Sequence, residues 1–281
     1  MNFIIPQITV LIATSYKRSN WLINRSLLSI YNQKEVEPKS VNVLIVDDNV
    51  ELEEFDKIQE LIQQLRQSLN LPISHFKTSI IRNSRTRFNS GTGAWNTGIF
   101  ETYKKYKNGF ISILDDDDEY LNNHLSACIS SIKKTTLAVF QSLEWKNEDN
   151  NILKFPLCSS QLTPEHFFIG NPGIQGSNMF IKTEALIVIN GFDEALPNTT
   201  DRDLMIRFLR KNKTNQVKVL KIVGVIHYNH KQIKVNSNIS LKQQGLDLFY
   251  QKHMANFSKE AYQKSLTRAK KYFSYSPNEE K

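Results

Sequence analysis

A chain of 281 residues can bury a full core, and its 40% hydrophobic and 23% charged residues exclude a disordered or fibrous protein. The formal net charge of +8 favours anionic ligands such as nucleotides, phospholipid head groups or acidic glycans, and chooses none of them. No apolar run reaches the length of a membrane span, and the N-terminus lacks the basic region and apolar core of a signal peptide.

Residues 8–13 form a short apolar run that ends in Thr14-Ser15-Tyr16-Lys17-Arg18, and residues 21–31 have helical spacing. A second buried strand over 41–46 ends in Asp47-Asp48-Asn49. A helix over 53–69 follows, with Phe55, Ile58, Leu61, Ile62, Leu65 and Leu69 on its apolar side and Pro72 closing it. Residues 73–81 read as a third strand, 82–93 as a loop rich in Asn, Ser and Arg, 94–106 as a helix and 110–114 as a fourth strand. This alternation predicts a largely parallel sheet with helices on both faces. Ligands of such sheets bind beyond the carboxyl ends of the strands. Thr14-Ser15-Tyr16, Asp47-Asp48 and Asp115-Asp116-Asp117-Asp118 all fall at such ends, so three strands deliver polar groups to one edge.

The second half is less regular. It reads as a helix over 121–133, a strand over 137–145, a glycine-punctuated loop over 171–178, a strand over 179–181 and a short helix over 182–189. Gly191-Phe192-Asp193-Glu194 comes next, and Thr199-Thr200-Asp201 looks like an N-cap cluster for a helix over 202–211. Residues 217–228 are strand-like, and from Ser240 the chain is helical and basic up to a polar tail over 276–281. Cys128 and Cys158 show neither metal-motif spacing nor a disulfide framework. The expected location is therefore the reducing cytoplasm, with at most peripheral contact at the inner face of a membrane.

The run Asp115–Asp118 is costly to fold, because adjacent carboxylates repel and the strand feeding them is buried. A solvated acidic turn is the bland alternative, and the apolar run before it argues for a bound cation. In an extended segment alternate side chains share a face, which pairs Asp115 with Asp117. A few hard oxygen ligands suit Mg²⁺ or Mn²⁺, completed by substrate phosphates and water. A calcium EF-hand loop does not fit, since Tyr120 and Ser126 occupy the positions that need Gly and Glu.

Taken together these residues resemble the family-2 glycosyltransferases, which have the GT-A fold. The likeness runs through residues 10–16, Ser29-Ile30-Tyr31-Asn32-Gln33, Leu44-Ile45-Val46-Asp47-Asp48, residues 91–98, Leu114 with the aspartates, Gly191-Phe192-Asp193-Glu194, and Asp201-Arg202-Asp203-Leu204 with Arg207. The resemblance implies an α/β GT-A domain over 1–235, with a nucleotide-sugar half over 1–120 and an acceptor half over 121–235. A basic helical extension over 236–281 follows. It implies an inverting, metal-dependent transferase that moves a sugar from a nucleoside-diphosphate sugar, most commonly UDP-linked, to a hydroxyl of a glycan, lipid-linked or protein acceptor. Thr14, Ser15, Tyr16, Arg18, Asp47 and Asp48 would then hold the nucleotide, and Asp115-Asp116-Asp117 the ribose and the metal on the diphosphate. Asp201 would be the catalytic base.

This chain departs from the family pattern in two places. Thr200-Asp201 stands where Glu-Asp is usual, leaving Asp203 as a second candidate base. Ala94-Trp95-Asn96 stands where Ala-Arg-Asn is usual, so that Arg82, Arg85 or Arg87 would supply the basic contact near the nucleotide. Gly176 permits close backbone approach to the donor sugar or acceptor. His227 and His230 are candidates for a further metal ligand, against the commoner structural role of a lone histidine. Two alternatives remain: a GT-A-like nucleotidyltransferase, disfavoured because residues 14–18 lack glycine, and a nucleotide- or glycan-binding module without catalysis. No nucleic-acid-binding motif accompanies the basic charge.

Overall fold

The structure, a computed structural model, describes residues 6–87, 90–147, 149, 152–229 and 239–277. Strands β1 (Ile8–Thr14), β2 (Val41–Asp47), β3 (Lys77–Arg82) and β4 (Phe110–Asp115) are parallel, and their spatial order is β3-β2-β1-β4. Their side chains alternate between two cores. Leu11, Val46, Ile111 and Ile113 enter one face, and Val10, Ile12, Val43, Ile45 and Leu114 the other. Helices then cover both faces, as the alternation predicts: Leu52–Ser68 and the helical turns between Ser19 and Tyr31 on one side, and Thr92–Lys105 on the other.

Beyond β4 the sheet turns mixed. The remaining strands are β5 (Glu119–Tyr120), β6 (Ala138–Asn147), β7 (Ile152–Phe155), β8 (Met179–Lys182) and β9 (Val217–Asn229). The order continues β4-β8-β6-β9-β5, with β7 on β6. β8 runs antiparallel to both β4 and β6, β9 runs parallel to β6, and β5 runs antiparallel to β9. The short strands β5 and β7 and the helix Pro164–Ile169 were not expected from the sequence, and the helix expected over 121–133 is confined to His124–Ser130. The third strand starts at Lys77 rather than at 73, and Ile73 is 93% exposed.

The two C-terminal helices, Ile239–His253 and Lys259–Phe273, pack into the core on the Thr92–Lys105 side through Leu246, Phe249, Tyr250, Ala261 and Ala269. They share that face with the helices Pro164–Ile169 and Thr200–Lys211. No helix among the described residues is long and apolar enough to cross a membrane.

Candidate active site

The parallel strands end together. Thr14 lies opposite Asp47 and Ala13 opposite Asp115, so the strand ends are level. A cleft of about 880 Å³ opens at this edge. Its walls include Thr14, Ser15, Tyr16, Arg18, Asp48, the aspartates 115–117, Trp145 and His227. Thr199 and Thr200 also reach it, as does Lys242 from the first C-terminal helix.

The extended geometry expected for the aspartates does not hold. The Asp118 amide donates to the Asp115 carbonyl at 3.2 Å, which closes a tight turn, so the ends of the run meet rather than alternate members. β5 then pairs Glu119 with Ile226 of β9, and this register sets Asp118 against His227. His227 Nδ1 lies 2.9 Å from Asp118 Oδ2, and the Tyr228 amide donates to Asp118 Oδ1 at 3.1 Å. Asp115, Asp118 and His227 each offer one ligand atom, all within 4.8 Å of one another. Two carboxylate oxygens and an imidazole are a donor set that fits Mn²⁺, and Mg²⁺ less well because of the nitrogen. Asp117 instead meets Arg18 Nη2 at 2.7 Å. His230 lies outside the described residues.

The repulsion within the turn is offset partly by the protein itself. Arg18 Nε donates to Asp116 Oδ1 at 2.7 Å and Thr14 Oγ1 donates to Asp116 Oδ2 at 2.8 Å. Burial still lifts Asp116 to about 6, against the opposing charge of Arg18. Asp115 is raised well above the usual carboxylate range by burial, then by the charges of Asp118 and Asp117. His227 is half-buried, and desolvation alone would lower it. The Asp118 carboxylate outweighs this and holds it at about 9, so a cation bound there would have to displace the imidazolium proton. The turn is therefore not a solvated acidic loop: Asp116 is 3% exposed and Asp118 not at all.

The structure separates Asp47 from Asp48. Asp47 is wholly buried, accepts a hydrogen bond from the Asn49 amide at 3.2 Å, and meets Arg82 at 3.4 Å. Asp48 lines the cleft and accepts from Asn83 Nδ2 at 2.6 Å. Arg82 and Arg87 hold the loop between them, donating to the carbonyls of Asn49, Val50 and Glu51, and Arg87 stands 3.6 Å from Asp48. Arg85 binds Glu194. Trp95, at the position of the usual arginine, is 8% exposed, packs on Phe192 with ring centroids 4.9 Å apart, and lines the cleft. Gly176 is wedged beside it. A Cβ there would sit 3.0 Å from Trp95 Cη2 and 3.3 Å from Asp115 Oδ1.

Asp201 is not the N-cap of its helix. That place falls to Thr199, held at φ 60° in the left-handed region, and Asp201 sits one residue inside the helix Thr200–Lys211. Its Oδ1 is buried without a hydrogen-bond partner. A helix N-terminus favours the ionised form, yet burial lifts Asp201 to about 7, with the charge of His227 pulling it back down. Its own charge in turn helps raise Asp115, so the two acidic groups feel one another across the site. Asp203 has the opposite environment. It is fully buried, and Arg207 (2.7 Å), Lys252 (2.6 Å) and His253 (2.9 Å) all bind it. Burial would raise it, but the His253 hydrogen bond and the neighbouring cations hold it far below the carboxylate range.

Sequence reasoning missed Asp118 as a ligand candidate, and also Ser177, whose hydroxyl joins the Asp115 amide (3.0 Å) to the Asp118 carboxylate. It missed Trp145, which stands opposite His227 in the β6–β9 register at the end of a strand that was expected. Strand-end position alone could have flagged the tryptophan. Nothing in the sequence sets the β5–β9 register that selects Asp118.

Among solved structures, Staphylococcus aureus TarS 1–349 in complex with UDP-GlcNAc superposes with a TM-score of 0.65 at 13% identity, covering 95% of this chain and 73% of that one. The mannosyltransferase PcManGT from Pyrobaculum calidifontis, in complex with GDP-Man and Mn²⁺, gives 0.58 at 14%, covering 95% and 76%. Against the full TarS structure the TM-score is 0.60 at 15% identity, and 44% of that chain is covered. These likenesses show the GT-A fold. A search of curated protein sequences finds no match. The model of Glycosyl transferase family 2 matches residues 10–189, from the first strand past the acidic turn and the Gly176 loop. The match spans well over half of the chain and takes in the ends of the parallel strands and the aspartates, so this protein belongs to glycosyl transferase family 2.

Proposed function

We propose that this glycosyltransferase moves a sugar from a nucleoside-diphosphate donor to an acceptor hydroxyl with inversion, using a divalent cation held at the acidic turn. The observation that carries the reading is the single cleft in which Asp48, the acidic turn and the opening of the Asp201 helix face one another. Its size, about 880 Å³, is in the range of sites that enclose a nucleotide sugar. The complexes of TarS with UDP-GlcNAc and of PcManGT with GDP-Man and Mn²⁺ are consistent with a donor of this class, and a UDP-linked sugar is the first to try.

In this reading Asp48 and the segment Thr14–Tyr16 bind the nucleoside, with the 62% exposed Tyr16 ring free to cover the base. Asp115, Asp118 and His227 hold Mn²⁺ or Mg²⁺, with Asp117 close by. A cation bound there would supply Lewis-acid stabilisation to the leaving diphosphate. Arg18 fixes Asp116 and Asp117, so the turn is ordered before substrate arrives. The Asp201 carboxylate takes the acceptor proton as the new C–O bond forms, and a value near 7 suits a base working near neutral pH. Asp203 is too firmly held by Arg207, Lys252 and the His253 hydrogen bond to share that role. The acceptor is a glycan, a lipid-linked sugar or a protein hydroxyl, met in solution or at a membrane surface.

The test is a thermal-shift panel of nucleotide sugars with and without Mn²⁺. One donor should raise the melting temperature by several degrees at saturation, and chelation should remove most of the gain. No response to any nucleotide sugar in the presence of Mn²⁺ or Mg²⁺ would end the proposal.

A further inference from the structure

Residues Leu22–Leu27 form a π-helix between the α-helical turns Ser19–Trp21 and Leu28–Tyr31. Such wide turns are rare and concentrate at functional sites. Here two consecutive side chains of the π-turn reach the backbone of the acidic turn. Arg25 Nη1 donates to the Asp117 carbonyl at 2.6 Å. Ser26 Oγ lies 3.0 Å from the carbonyls of both Asp115 and Asp118. Three carbonyls of the turn are thus held from the helix side, while Asp115, Asp116 and Asp117 line the cleft.

Arg25 also has a second contact. Its guanidinium lies 3.6 Å from the centre of the Tyr228 ring. Tyr228 follows His227, gives its amide proton to Asp118 Oδ1 at 3.1 Å and its hydroxyl proton to Glu119 at 2.8 Å. The group Asp115, Asp118 and His227 is therefore assembled from two segments, the turn after β4 and the end of β9. One side chain grips both: its charge holds the turn and its flat face holds β9. A guanidinium can form a hydrogen bond in its plane and stack on an aromatic face at the same time, which an ammonium cannot do.

We propose that Arg25 is a positioning residue that locks the end of β9 onto the acidic turn and so sets the spacing of Asp115, Asp118 and His227. The role toward a cation rests on the function proposed above; the role in positioning β9 does not. The contacts of Arg25 are with the turn and with Tyr228, so it acts through the groups it holds.

The experiment compares the parent chain with Arg25→Lys, which keeps the charge and loses the stack, and with Tyr228→Leu, which loses the stack from the other side. Two quantities are read on the folded proteins: hydrogen exchange at the Tyr228 amide, and binding of Mn²⁺ alone by calorimetry. Both variants should exchange the backbone amide at position 228 about tenfold faster or more, after correction for the intrinsic rate of the residue there, while the amides of β1 and β2 keep their parent rates. Both should bind Mn²⁺ about 10- to 100-fold more weakly, the range found when a residue that orients metal ligands is lost. Parent-like exchange and Mn²⁺ affinity in either folded variant would overturn the inference, and Tyr228→Leu decides it if Arg25→Lys fails to fold. If the parent chain binds no Mn²⁺, the cation reading falls, and the exchange rates alone decide whether Arg25 positions β9.

Discussion

Asp201 and Asp203 stand two residues apart on one helix, and their surroundings push them in opposite directions. Two cations and the His253 ring bind Asp203, whereas Asp201 has a buried oxygen with no partner. Leaving a buried carboxylate oxygen without a partner costs stability. The pH dependence follows from its shift, from 3.8 to about 7. Below pH 4 the group is protonated whether or not the chain is folded, and stability is unaffected. Between pH 4 and 7 the unfolded chain gives up the proton first, so stability falls as pH rises; above 7 the penalty is constant. Asp201→Asn should therefore match the parent in stability at pH 4 and exceed it at pH 8, by an amount on the order of 2 kcal/mol. The same variant should lose about 10²- to 10⁴-fold in turnover while still binding donor. The parent kcat/KM should rise with pH to a plateau above about 7. Denaturant unfolding at two pH values and steady-state kinetics check all of this; a variant no more stable at pH 8 would show that burial does not act on Asp201 as described.

At the scale of elements, β1, β2 and β4 and the helices that cover them were legible, because each buried strand announces itself as an apolar run ending in polar residues. Asp48 and Asp115 were legible for the same reason. Asp118 was not. Its partner His227 lies 109 residues away, and the two meet only because a two-residue strand pairs with β9. A period-two rule correctly describes strands and fails at the first turn, where the hydrogen bond from Asp118 to Asp115 takes over. The Gly176 loop was legible as a close approach but not for what it approaches, namely Trp95 and Asp115. This yields a prediction for Gly176→Ala. The new methyl would meet Trp95 at 3.0 Å and the Asp115 carboxylate at 3.3 Å, so one of them must move. Overpacking of this kind costs about 1–3 kcal/mol, and if Asp115 holds the cation as proposed, a small displacement of its carboxylate should cost about tenfold or more in kcat/KM. Thermal unfolding together with donor kinetics checks it. Parent-like kinetics at a lowered melting temperature would mean that Trp95, and not Asp115, gives way.

For the whole molecule the question is what holds the Asp201 helix in place against the parallel strands. The strands end at the cleft, while the Asp201 helix meets the two C-terminal helices through Asp203 and Arg202. The last two helices are basic, and their apolar faces complete the core. The join is specific. Lys252 bridges Asp193 and Asp203, His253 binds Asp203, and the Phe249 ring lies 4.3 Å beneath the guanidinium of Arg202, the neighbour of Asp201. Arg202 is itself buried and pulled down to about 10 by that burial, and it donates to the carbonyls of Phe167 and Phe168. Removing the ring would leave a buried cation over a void. Phe249→Ala should therefore cost about 3–5 kcal/mol in unfolding free energy. Its effect on function should be uneven: donor binding, built on β1 to β4, stays near the parent value, while turnover per folded molecule falls. Denaturant unfolding, donor titration and active-site-normalised kinetics separate these outcomes. If turnover and donor binding fell in parallel, the C-terminal helices would be stabilising the whole sheet and not the base helix in particular.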